Sequence, residues 1–91
     1  MDLRTFLTPM PAGERDEFAK QCGSTRGVLQ NIMYGVRPCG AELAVAIERA
    51  SEGRVRRWDL RPRDWHLIWP ELIGTDGAPA IEGKEPTAKA A

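Results

Sequence analysis

The feature that most constrains this chain is a pair of helix-periodic stretches separated by little more than Gly23 and Ser24. The first carries Phe18, Ala19 and Cys22, and the second carries Val28, Leu29, Ile32 and Met33. Both sets recur at the spacing of one helix face. Glycine accepts the left-handed conformation that ends a helix, and Ser24 is a natural N-cap for the helix that follows. So short a connection forces the two axes to cross steeply, the helix-turn-helix arrangement. Ala19 falls where the helices must approach closely, and Leu29 and Ile32 face the core. Tight helix pairs are also common as plain hairpins. The spacing by itself therefore leaves nucleic-acid binding and simple packing both open.

The same patterning extends to four helices, over about residues 2–7, 12–22, 24–34 and 40–51. Leu3, Phe6 and Leu7 form the stripe of the first, which Pro9 and Pro11 stop. Pro11 suits the opening turn of the second, with Glu14, Asp16 and Glu17 near its positive end. Gly35 closes the third, and Leu43, Ala44, Ile47 and Ala50 define the fourth. Gly27, inside the third helix, costs roughly 1 kcal/mol relative to alanine in a helix interior. It either relieves crowding near the turn or lets the helix approach a ligand closely.

Composition narrows the function classes. The chain has 91 residues, 42% hydrophobic and 29% charged, the ordinary range for one globular domain. Thirteen basic residues balance thirteen acidic ones, which excludes both a polybasic tail protein and a strongly acidic mimic. Two cysteines without a C-x-x-C, and a single histidine, argue against a disulfide framework or a metal site. His66 has no spaced partner and Ser24 no His/Asp pairing, so neither enzymatic activity nor a cofactor is expected. The opening MDLRTFL lacks the apolar run of a secretory signal, which fits a cytoplasmic protein.

Residues 74–91 hold one large apolar side chain, Ile81, and are expected to form a disordered tail behind a domain of residues 1–73. Between helix four and that tail, residues 54–73 read as a cap. Arg54, Arg56, Arg57, Arg61 and Arg63 face one acid, Asp59, a local net charge of +4. Alternation of Arg56, Trp58 and Leu60 with Val55, Arg57 and Asp59 admits a short extended segment, and Asp64 to Trp69 a helical turn. Trp58 is expected in the core. Trp65 and Trp69 fit either the core or an interface, where tryptophan is enriched.

At this point the chain resembles a known group. The run from Phe18 to Arg26 is similar to the Cro/CI-type repressors. The fuller pattern resembles the YdaS-like subgroup, found as phage Cro-type regulators and antitoxin-labelled proteins. The further matching residues are Ile32 to Pro38, Ala44 to Ala50, Trp58-Asp59-Leu60-Arg61-Pro62 and Ile68-Trp69-Pro70. Gly27, and Cys39-Gly40 in place of Ser-Pro-like capping residues, depart from the usual pattern. The resemblance implies a lambda-repressor-like all-α fold of four to five helices, operator DNA as ligand and self-association as a homodimer.

On that reading the third helix enters the major groove, where side chains near its N-terminus and outward face meet base edges. Thr25, Arg26, Gln30 and Asn31 are the expected base-reading residues. Arg26 suits guanine O6 and N7, and Gln30 suits adenine. Arg15, Lys20, Ser24, Tyr34 and Arg37 are expected on the DNA backbone. Residues 18–41 carry three basic residues and no acid, so the zero total conceals a basic face. Arg57, Trp58, Trp65 and Trp69 are the expected surface for a second copy or a protein partner. The expected function is a sequence-specific repressor that binds double-stranded DNA, with one alternative that does not exclude it. That alternative is an antitoxin-like interaction module gripping another protein through its arginine-tryptophan segment.

Overall fold

The computed structural model describes residues 1–81, and they form a small all-α domain. In chain order the helices are α1 (Leu3–Leu7), α2 (Ala12–Gln21), α3 (Arg26–Met33), α4 (Ala41–Ala50), α5 (Arg57–Leu60) and α6 (Trp65–Ile68), followed by a 3-10 turn at Pro70–Leu72. The first four match the helices expected from periodicity to within one or two residues at each end.

The α2–α3 turn shows why these residues stop one helix and start another. Gly23 takes φ +73°, and its N–H donates to Lys20 O at 2.9 Å while Ser24 N–H donates to Ala19 O at 2.8 Å. This Schellman pairing satisfies the last carbonyls of α2. It also occupies Ser24, so the cap of α3 moves one residue on. Thr25, extended at φ −125° and ψ 159°, accepts the Val28 N–H on its hydroxyl at 3.2 Å. The expectation that Ser24 caps α3 is thereby corrected. At the far end of α3, Gly35 repeats the pairing, donating to Ile32 O while Val36 N–H donates to Asn31 O.

Leu3 and Leu7 of α1, Phe18 and Ala19 of α2, Leu29 of α3, and Ala44 and Ile47 of α4 meet in one core. Cys22 and Cys39 join it as free thiols, and burial pushes both up to about 11, so they stay protonated at neutral pH. Arg15 is half-buried beside the turn after α1. Its guanidinium donates to the carbonyls of Leu7 and Met10 at 3.0 Å and of Thr8 at 3.1 Å, clamping the turn after α1. The bonds occupy Nε and one terminal nitrogen, so a structural task stands beside the expected contact with the DNA backbone.

The arginine-tryptophan segment is built as a lid on α4. Residues 57–60 are helical rather than extended, since Asp59 accepts the Arg56 N–H at 2.9 Å and starts a turn. Glu48 of α4 lies 2.9 Å from Arg57 Nε, off the hydrogen-bond line, and 3.6 Å from Arg56. The Arg57 guanidinium also sits 5.2 Å from the Trp69 ring centre. Arg61 grips Asp64 with two bonds, at 3.0 and 2.7 Å, and donates to the Cys39 carbonyl just before α4. Trp65 (2% exposed) and Trp69 (9%) are core residues, and Trp58 is the half-buried one, packed edge-on against Trp65 at 5.6 Å. Of the expected partner surface, Trp58 alone stays half-exposed without an ion pair. Trp65 and Trp69 are consumed by packing, and Arg57 is paired. Truncating a buried tryptophan costs about 3–5 kcal/mol, so the lid belongs to the domain.

The chain also stays in place past residue 73. Ala78 and Ile81 pack against the core, and Gly77 lies beside Trp58. A half-buried indole gives this short apolar stretch something to cover, which composition could not reveal. The disordered tail is therefore not observed over 74–81, and its remainder, 82–91, lies outside the described residues. No described helix is long and apolar enough to cross a membrane.

Candidate nucleic-acid interface

With Leu29 buried and Val28, Ile32 and Met33 partly so, α3 presents its other side to solvent. Arg26, Gly27, Gln30, Asn31 and Tyr34 are all exposed, and their three- and four-residue spacing puts them on one face. Thr25 stands at the N-terminal end of that face. Its hydroxyl oxygen accepts the cap bond, and the residue as a whole is exposed. Four side chains expected to read bases, Thr25, Arg26, Gln30 and Asn31, are thus brought together at one helix.

Gly27 lies in the middle of them. A Cβ built there meets no atom within 4 Å, so the crowding explanation fails. The glycine leaves a notch between Arg26, Gln30 and Asn31 that no intramolecular neighbour requires.

The flanking charges divide. Arg37 is exposed and has no acidic partner among the described residues. Lys20 is exposed, 3.9 Å from Glu17, an arrangement too open to hold it. Ser24 is half-buried in the turn. Tyr34 is 55% exposed, and the Arg4 guanidinium stacks over its ring at 5.3 Å from the centre. Arg4 is a member of this surface that sequence reasoning missed. It comes from α1, 30 residues away, and only the fold brings it to the C-terminal end of α3.

One acid also reaches the face. Asp16 of α2 places Oδ1 3.5 Å from Arg26 Nε, with both side chains about half exposed. The Arg26 and Gln30 stems line a narrow cleft with Leu7, Arg15, Leu29 and Met33, so the guanidinium rises from a packed base. The arrangement offers a forked cation, two amides, a hydroxyl and an aromatic ring on a rigid ridge. These are hydrogen-bonding groups of the kind that read base edges.

Residues 11–68 match the family model described as "Bacterial toxin YdaS", a span that runs from the start of α2 through α6. No curated protein matches the chain.

Proposed function

The chain belongs to the family described as bacterial toxin YdaS, and from that premise we propose that it reads double-stranded DNA by sequence and acts as a Cro-like transcriptional regulator. The observation that carries the proposal is the outward face of α3. Among the described residues its polar side chains have no intramolecular task beyond the Thr25 cap, one surface ion pair and the stacking of Arg4 on Tyr34. α3 enters the major groove, where Arg26 forks onto guanine O6 and N7, and Gln30 and Asn31 pair with adjacent bases. Thr25 meets a base edge at the start of the helix and Tyr34 meets the phosphates, with Lys20, Arg37 and Arg4 supplying positive charge.

A net charge of zero gives one copy little hold on a polyanion. The regulator therefore works as a homodimer on a roughly palindromic operator, its half-sites about 34–36 Å apart, one helical turn. The competing assignment, a partner-gripping arginine-tryptophan segment, is weakened by the burial of Trp65 and Trp69 and the pairing of Arg57.

Selection of bound sequences from random duplexes at two salt concentrations tests the reading. A single inverted-repeat motif should emerge. If about 6–8 phosphates are neutralised, log K falls with log salt at a slope of about −5 to −7. Arg26→Ala should erase the preference at one base pair per half-site, about 1–3 kcal/mol of discrimination. An unenriched pool, or an unchanged motif with that variant, refutes it.

A further inference from the structure

We propose that Asp16 is a positioning residue for base reading, holding Arg26 by its inner edge so that the outer edge is aimed at the groove. The inference rests on the DNA-reading proposal and adds a residue to it. Residues 18–41 contain no acid, so by sequence the reading surface is purely basic. The fold changes that by bringing the Asp16 carboxylate across from α2 to Arg26, at 3.5 Å. An acid facing a phosphate backbone weakens attraction to every duplex, so its presence there calls for a compensating role.

The geometry supplies one. The carboxylate stands at Nε, the guanidinium nitrogen nearest the backbone. The two terminal nitrogens, which form the fork that fits guanine N7 and O6, make no hydrogen bond among the described residues. Arginine has many rotamers, and the freedom lost on docking counts against affinity. A carboxylate behind Nε removes part of that loss beforehand. It also opposes a different pose, in which Arg26 swings to a phosphate and binds any sequence. Asp16 sits directly after Arg15, whose three bonds to the α1 turn fix this part of α2. The buttress therefore stands on an anchored stretch of helix. Glu17, the neighbouring acid, faces Lys20 instead.

The test measures binding of Asp16→Ala, Asp16→Glu and Arg26→Ala to the selected operator. The comparison duplexes are operators changed at the base pair that Arg26 reads, operators changed at another read base pair, and a random duplex. For Asp16→Ala, discrimination at the Arg26 base pair should fall about three- to fivefold. Affinity for the random duplex should rise about twofold as one negative charge leaves the surface, and discrimination elsewhere should hold. Asp16→Glu should recover most of the loss. Discrimination that is unchanged, or that falls equally at every position, overturns the proposal. Arg26→Ala separates the failures. If it keeps full operator preference, the DNA-reading assignment itself is wrong and this one falls with it. If it loses preference while Asp16→Ala does not, only the positioning role is wrong. Thermal unfolding of each variant guards against a shifted helix.

Discussion

Replacing Gly27 with alanine should move stability and DNA binding in opposite directions. Gly27 is the second residue of α3, has no left-handed φ, and would place its new methyl in open space. The substitution removes backbone freedom from the unfolded chain without a clash, a gain of about 0.5–1 kcal/mol. At about 4–8 °C per kcal/mol for a domain of this size, the melting temperature should rise by about 2–8 °C. In the groove the same methyl projects from the notch between Arg26, Gln30 and Asn31. Overfilling a close-packed contact costs about 1–3 kcal/mol, so operator affinity should drop about 5- to 150-fold. Gly13 provides a matched control: it is the second residue of α2, exposed, and equally free of neighbours. Gly13→Ala should stabilise by a similar amount and leave binding alone. Differential scanning calorimetry and fluorescence anisotropy on a labelled operator measure both quantities. A Gly27→Ala protein that is more stable and binds as well as wild type would refute the close approach of α3 to DNA.

Three further outcomes follow from individual contacts. Glu52 holds φ +56° at the end of α4, a conformation costly for a residue with a Cβ. Glu52→Gly should therefore raise stability by up to about 1 kcal/mol in denaturant titration. Arg61 holds the Asp64 carboxyl below its ordinary range, so the unfolded state binds the proton more tightly. The stability this pair contributes is complete above about pH 4, the unfolded value. It is lost as pH falls through the lower folded value. Asp64→Asn should flatten that acid limb of the unfolding profile. Arg15→Ala should destabilise by about 1–2 kcal/mol in denaturant titration through its lost carbonyl bonds.

Helices α1 to α4 were legible in the sequence because their causes are local. Apolar residues at helical spacing set the buried faces, and Gly23 and Gly35 end helices with pairings made within six residues. The single-residue error at Ser24 has the same local origin: the Schellman pairing uses its N–H, and the chain needs one more residue before α3 begins. The lid was not legible. Its two four-residue helices are too short for periodicity to register, and their partners, Glu48 and the Cys39 carbonyl, are set by the fold. Five clustered arginines therefore looked like an interaction surface, when Arg56, Arg57 and Arg61 face acids within the domain. At the candidate interface the outward residues of α3 followed from helix geometry. Arg4 and Asp16 did not, because each arrives from another helix.

Amide chemical-shift mapping reports directly which surface of the domain meets DNA. Titrating isotope-labelled protein with its selected operator should shift the resonances of Thr25 to Tyr34 most strongly, with smaller changes at Asp16, Lys20 and Arg37. Shifts concentrated instead on the lid, at Leu67 to Ile73, with α3 unmoved, would contradict the DNA-reading proposal.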